Sequence, residues 1–586
     1  MKAKPALALA AFLVPLLAGC FGGSDDTGPA LPPTATDSDL AGAAPYTIFL
    51  CNAGYRIGAA ASQAGIDECN HRVTHPLVDN HTMDWTTQHG PGNEVSVAVN
   101  PTNPLNVAGG AKDYTVSYLG GGAGCGKYNV WMGTFSSLDG GLTWNDDLMP
   151  GFPGDKRPSA ISGNTCNTDP VVAFDDDGTF VFSGLNYGGA HAGQVPSQPN
   201  PVYPGSTDAT TATQIYFATS TDGGKTFGAI SFCGVGDNGI QFNDKQWFAL
   251  QPGGDHAIVT WTPYYSTPPL PSGVPDPTGL LAQSTSVISY CESMDGGKTW
   301  GPQHTFAPGT SSGLDSQFSM PQYLPNGPGG MPRVAVIWAA DTDGTLPVGV
   351  HPNGDQLSYT EGTVTPGGTV FAPVMSTFTI SPIKSDPSVG PRDGTGPSHF
   401  RVATYPVLAI DTSGGAHDGR RYVVYAEQTG RVNTDVQLMM RHSDDGMAWS
   451  APVRVSDTEK GDQFVPWVDV DPLGGVHVAW YDRRNSPDNR LLDVYYAYSD
   501  NGGDSFHPNV RVTERSFDGD LGHHQSGAPF IGDYIGLDTS KESATVFWAD
   551  TRHTGEAGRL AGSDVYAATI LKDATARKDF DAAYHR

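Results

Sequence analysis

One short pattern returns along this chain and constrains its fold more than any other feature. It reads Ser137-Leu-Asp139-Gly-Gly141-Leu-Thr143-Trp144, then Ser220-Thr-Asp222-Gly-Gly224-Lys-Thr226-Phe227, then Ser293-Met-Asp295-Gly-Gly297-Lys-Thr299-Trp300. A variant stands at Ser499-Asp-Asn501-Gly-Gly503-Asp-Ser505-Phe506, and a shortened copy at Ser443-Asp444-Asp445-Gly446-Met-Ala-Trp449. Asp or Asn can cap backbone N–H groups, the glycine pair accepts φ > 0, and the closing aromatic can pack into a neighbouring layer, so each copy suits a hairpin turn. Apolar runs precede and follow the copies in units that start near 93, 167, 242, 315, 400, 462 and 525. A period of roughly 50–80 residues with about four strands per unit predicts an all-β fold, a β-propeller. Seven units give seven blades; six remain if one unit is an insertion. The last unit supplies only three obvious strands, so a strand from the N-terminal region is expected to complete it and close the ring.

Composition agrees. Of 586 residues, 74 are Gly and 46 are Pro, too many breakers for a helical bundle. Basic residues number 33 against 61 acidic ones, a formal charge of −28, which disfavours a nucleic-acid partner because phosphates find no basic surface.

The N-terminus reads as an address. Residues 1–20 combine two lysines, an apolar run and Leu17-Ala18-Gly19-Cys20. A segment this short reads as a secretory signal and not a membrane span. Its end resembles the lipobox of prokaryotic lipoproteins, which implies lipidation at Cys20 and an extracytoplasmic, surface location reached by the lipid alone. Residues 21–45 have the composition of a flexible tether, 46–92 form an N-terminal extension, 93–570 the propeller and 571–586 a tail. Six further cysteines (Cys51, Cys69, Cys125, Cys166, Cys233 and Cys291) suggest up to three disulfides in an exported protein. Fifteen pairings exist; sequential pairing is the one expected here.

The repeated turns resemble the Asp box of the sialidase superfamily and related bacterial-neuraminidase-repeat proteins. That resemblance implies a sialidase-type propeller in which Asp139, Asp222, Asp295, Asp445 and Asn501 are structural turn residues, remote from the ligand face. Ligands of propellers occupy the opposite face, where loops enter the innermost strands and join the second strand to the third. The strand entries offer Glu94, Asp169, Asp244, Lys245, Gln317, Arg401, Gln463, Asp533 and Tyr534; the second-to-third loops offer Lys112, Asp113, Tyr114, Asp341, Glu427, Asp482, Arg483, Arg484, Asp550 and Arg552. On the family's template, Tyr534 would be the nucleophile, Glu427 its base and Asp113 the acid/base. Arg401, Arg483 or Arg484, and Arg552 would clamp a substrate carboxylate, with Asp482 and Asp550 beside them.

The chain departs from the template in three ways. The family's Arg-Ile-Pro motif is missing, and Tyr55-Arg56-Ile57-Gly58 is the nearest string. Glu94 stands where a carboxylate would repel a sialic acid. The arginine candidates occupy three consecutive blades, and the recurrence of Trp480-Tyr-Asp482-Arg-Arg484 as Trp548-Ala-Asp550-Thr-Arg552 also suits a structural, blade-to-blade ion pair. The expected function is a sialidase-like surface propeller, an exo-glycosidase for sialic-acid-type or other anionic glycans. The alternative is a non-catalytic glycan- or protein-binding propeller for adhesion or envelope structure. No cofactor or metal is expected, and the chain reads as a monomer.

Overall fold

Strand pairing in the computed structural model sorts the chain into seven antiparallel sheets of four or more strands, with one additional two-stranded hairpin. The structure describes residues 35–52, 54–58, 69–74, 91–118, 130–162, 164, 166–187, 214–233, 241–265, 287–306, 316–340, 355–381, 400, 402, 404–429, 436–525, 528–554 and 562–584. They belong to one unit, Thr34–Arg586; Cys20 and Arg401 lie outside the described residues.

Blade 1 runs from Gly92–Val99 at the hub through Val107–Asp113 and Trp131–Ser137 to Asn145–Leu148 at the rim. The innermost strands of blades 2 to 6 are Cys166–Phe174, Gln241–Leu250, Ser316–Leu324, Val407–Ile410 and Gln463–Val470. Blade 7 takes Gly536–Thr539, Ser543–Asp550 and Asp564–Leu571 from the C-terminal end of the chain and Ile48–Cys51 from the N-terminal end. Ile48 pairs with Leu571 and Phe49 with Ile570, so a segment read as extension supplies the fourth strand and closes the ring. Gly54–Ile57 adds a further strand outside it. The protein is a seven-bladed β-propeller, and the six-blade alternative falls.

The repeated turns join the third and outer strands of blades 1, 2, 3, 5 and 6. In the first, the Ser137 hydroxyl donates to Asp139 Oδ1 at 2.7 Å and accepts from the Gly141 amide at 2.9 Å. Asp139 also accepts from the Thr143 amide and hydroxyl, at 2.9 and 2.5 Å. Gly140 and Gly141 have φ of 73° and 95°, a region that disfavours other residues. Asp222 and Asp295 repeat the arrangement, Asn501 receives the Ser505 amide, and Asp445 caps the Met447 and Ala448 amides.

Between blades lies the core, with Trp131, Trp261, Trp480 and Trp548 fully buried. Tyr46, just before the closing strand, donates to Asp471 of blade 6 at 2.8 Å, and His477 meets the same carboxylate at 3.1 Å. Disulfides join Cys51 to Cys69 and Cys233 to Cys291, the latter tying blade 2 to blade 3. Cys166 is disulfide-bonded too, whereas Cys125 lies outside the described residues. Such bonds belong to oxidising compartments. Among the described residues, no helix is long and apolar enough to cross a membrane.

Candidate functional site at the hub

Antiparallel order fixes which loops share a face. Every innermost strand starts on the face opposite the repeated turns, so the strand entries of all blades meet around the axis. Five of these strands carry a bulge near the entry: between Asn93 and Ser96, Thr168 and Val171, Asp244 and Trp247, Gln317 and Met320, and Phe464 and Trp467. At each bulge one non-glycine residue has a positive φ: Glu94 (50°), Asp169 (59°), Lys245 (54°), Phe318 (58°) and Val465 (51°). A left-handed conformation costs a bulky residue on the order of 1 kcal/mol, and such costs gather where side chains must be re-aimed. Here the bulges turn Glu94, Asp169 and Lys245 toward one another.

Two lysines and a group of carboxylates result. Lys112 Nζ lies 2.5 Å from Glu94 Oε2 and 3.9 Å from Asp169 Oδ1. Lys245 Nζ lies 2.6 Å from Asp533 Oδ2, 3.5 Å from Glu94 Oε1 and 3.6 Å from Asp169 Oδ2. The Glu94 side chain is fully buried, and that of Lys245 is 14 % exposed. Removal from water raises the Glu94 carboxyl despite both lysines. Burial also opposes ionisation of Asp169, but Lys245 and Lys112 outweigh it and hold that carboxyl below its ordinary value. Asp244, half-buried and hydrogen-bonded to Asp169, is pushed up to about 7, chiefly by burial. The neighbouring aspartates are therefore driven apart, one ionised and one ready to keep a proton, as in acid/base pairs.

Aromatic rings stand beside the charges. Trp247 packs on Trp467 with centroids 4.7 Å apart and meets Tyr534 edge-on at 5.7 Å; Phe318 stacks on Tyr405 at 5.1 Å. With Asp169, Lys245 and Asp533 they enclose a cavity of ≈ 30 Å³, room for a water molecule. Trp247 and Trp467 also line a second cavity of ≈ 330 Å³ along the axis, toward the face of the repeated turns, where Asp469 and Asp538 project.

The residues of the sialidase template do not gather in one place. Tyr534 is in the hub, but its hydroxyl donates to the Pro170 carbonyl at 3.4 Å, and burial holds its phenol well above the ordinary value. Glu427 lies near the end of the second strand of blade 5, where burial raises its carboxyl. Asp113 accepts the Thr115 amide at 2.7 Å. Arg483 is fully buried between the rings of Phe400 and Phe464, each 5.3 Å away, and burial lowers its guanidinium to about 10.

The two Trp-x-Asp-x-Arg strings build one motif twice. Trp480 Nε1 donates to Asp482 at 2.8 Å, and Arg484 donates to the same oxygen at 2.8 Å while stacking on Tyr495. Trp548 and Arg552 do the same to Asp550 at 2.8 and 2.6 Å, with Tyr566 beneath Arg552. Each Asp–Arg pair closes inside its own blade and not from blade to blade as expected; Arg484 also reaches Asp457 and Arg552 reaches Asn70, and Arg401 lies outside the described residues. The hub therefore presents no converging arginine triad among the described residues. It is built from the strand entries, with Lys112 added from the second strand of blade 1.

No protein-family model matches the chain, and no curated protein matches its sequence. Among solved structures, it is similar to an α-L-arabinanase from Penicillium chrysogenum (12 % identity, 86 % of this chain and 98 % of that one, TM-score 0.38). It is also similar to the α-L-arabinofuranosidase Arb93A of Fusarium graminearum (13 %, 86 % and 97 %, 0.39). The NanB sialidase of Streptococcus pneumoniae gives 12 %, 85 % and 70 %, with 0.35. The fold assignment rests on the strand pairings above and not on these likenesses.

Proposed function

We propose that the chain is a propeller glycosidase of the Asp-box type, exported and held outside the cytoplasm by a lipid on Cys20, whose hub hydrolyses a neutral glycan. The observation that carries this reading is the Asp169–Asp244 pair, two adjacent carboxyls with opposite protonation preferences above a stack of aromatic rings. Asp244 would hold the proton that a leaving glycosidic oxygen needs. Asp169, kept ionised by Lys245 and Lys112, would stabilise positive charge developing at the anomeric carbon or take a proton from the attacking water. Trp247 and Trp467, which pack on each other beside room for one water, would part to hold a sugar ring between the hub carboxyls and their apolar faces. Neutral glycans are favoured over anionic ones because four carboxyl groups face two lysines at the hub, and the arginines are spent elsewhere.

The test is product release from neutral aryl glycosides and from a sialoside, by the wild type and by Asp169→Asn and Asp244→Asn. Turnover of a neutral glycoside, lost in both variants while the proteins stay folded, supports the reading; cleavage of the sialoside alone overturns it. A second reading, a charge cluster that only locks the ring, is favoured by the full burial of Glu94. It predicts no turnover and lowered stability in both variants.

A further inference from the structure

Each of the five bulges at the strand entries sets two residues outside the pairing, and the second of the two differs between blades. It is Val95 in blade 1, Pro170 in blade 2 and Pro466 in blade 6, none of which has a hydrogen-bonding side chain. In blades 3 and 4 it is Gln246 and Ser319. Both are withdrawn from solvent, at 1 % and 3 % exposure, and both line the hub cavity of ≈ 30 Å³. Gln246 Oε1 and Ser319 Oγ have no hydrogen-bond partner among the described residues. Buried polar atoms are costly to leave unpaired, so two of them in the wall of one small cavity mark a polar guest.

We propose that this guest is the water that attacks the glycosidic bond, and that Gln246 and Ser319 are the residues that position it. The proposal rests on the glycosidase reading of the hub and adds to it a seat for the second substrate.

Size and charge select water. The cavity suits one small molecule with several polar partners and leaves no room for an organic ion. Lys245 Nζ, in the same wall, lies 2.6 Å from Asp533 and 3.6 Å from Asp169, so a metal cation would meet a like charge.

Donor and acceptor roles orient the molecule. Gln246 Nε2 donates to the Asp169 carbonyl, which fixes the amide and leaves Oε1 to accept one proton of the water. The Ser319 hydroxyl can donate to the water oxygen. The second water proton is left for the carboxylate of Asp169, which also lines the cavity. One lone pair stays free for the anomeric carbon of a sugar held by Trp247 and Trp467, residues of the same wall.

The step balances. The water oxygen bonds to the anomeric carbon as the bond from that carbon to the leaving oxygen breaks. Asp169 takes a water proton and Asp244 gives its proton to the leaving oxygen. Transfer from Asp169 to Asp244, across the hydrogen bond that joins them, restores both. Tyr534 is not called on as nucleophile, since its hydroxyl is turned to the Pro170 carbonyl.

Three measurements on the full chain test the proposal. A crystal structure should show one ordered water within about 3.2 Å of both Gln246 Oε1 and Ser319 Oγ. Ser319→Ala should lower kcat on a neutral aryl glycoside at least about tenfold and leave KM within about twofold, with Tm little changed, because it loosens the attacker and not the sugar. In aqueous methanol the wild type should release only the free sugar, because methanol is too large for the seat. Ser319→Gly, with the seat enlarged and its hold lost, should also give the methyl glycoside, a partition that a merely structural hydroxyl would not move. Absence of the water, an unchanged kcat in Ser319→Ala, or methyl glycoside from the wild type in proportion to methanol would each overturn the seat while cleavage itself upholds the glycosidase reading. Failure of the wild type to cleave any neutral glycoside would end both.

Discussion

Replacing Lys245 by Met removes one charge and keeps most of the side chain's length, so it isolates the electrostatics of the hub. Lys245 Nζ sits 2.6 Å from Asp533, 3.5 Å from Glu94 and 3.6 Å from Asp169, and the three acids are almost entirely shielded from water. Lys112 reaches Glu94 at 2.5 Å and Asp169 only at 3.9 Å, so it compensates in part. Breaking a buried ion pair by deleting one partner costs about 3–5 kcal/mol, and that is the expected loss of unfolding free energy at pH 8. The pH dependence has a definite sign. The folded-state pKa of Asp169 is depressed, so its ionisation stabilises the fold above its unfolded value near 3.8 and that contribution fades as pH falls through the folded value. Without Lys245 the depression shrinks, so the gap between wild type and variant should hold from pH 8 to about pH 4 and narrow only below the unfolded value near 3.8. Urea unfolding followed by tryptophan fluorescence reads both quantities. A loss below about 1 kcal/mol at pH 8, or a gap that does not narrow on acidification, would refute the ionic account of the hub.

Two other perturbations give distinct outcomes. Asp538 is raised well above its ordinary value, first by burial and then by Asp469, so its ionisation opposes folding as pH rises from about 4 through the folded value. Asp538→Asn should therefore match wild type at pH 4 and exceed it by about 1–2 kcal/mol at pH 8 in the same urea assay. Arg552→Ala leaves buried Asp550 without its 2.6 Å partner; calorimetry should show a loss of about 3–5 kcal/mol, with sugar binding at the hub unchanged.

The repeated turns made the fold legible, because each Asp–Gly–Gly string closes a hairpin by local hydrogen bonds that need no distant partner. The ring closure was legible too, since blade 7 lacked one strand in the C-terminal sequence and Ile48–Cys51 supplies it. For the site, the strand entries were a better guide than the loops joining the second strand to the third. Of the strand-entry residues, the structure gathers Glu94, Asp169, Asp244, Lys245, Asp533 and Tyr534 around the axis, whereas Gln463 donates to Ser456 and to the Thr458 carbonyl and Arg401 lies outside the described residues. The loops joining the second strand to the third also offered Glu427, Asp113 and the arginines to which the template gave roles, and their direction depends on strand pleat. Trp480 and Asp482 share one strand face by the period of two, as do Trp548 and Asp550, and a turn after each strand brings Arg484 and Arg552 back to the same carboxylate. The recurrence was legible as a structural ion pair, but its closure inside each blade follows from this spacing. The bulges could not be read, because Glu94, Lys245, Phe318 and Val465 are residue types that do not advertise a positive φ, and Asp169 alone of the five belongs to a type enriched there.

The most direct test is a crystal structure of the protein soaked with an oligosaccharide that it cleaves or retains. The account predicts a sugar ring against Trp247 and Trp467, with its glycosidic oxygen within hydrogen-bond reach of Asp244 and its anomeric carbon facing Asp169. Sugar bound only elsewhere, with the Lys245 ion pairs unaltered and the hub closed over Asp169, would contradict it.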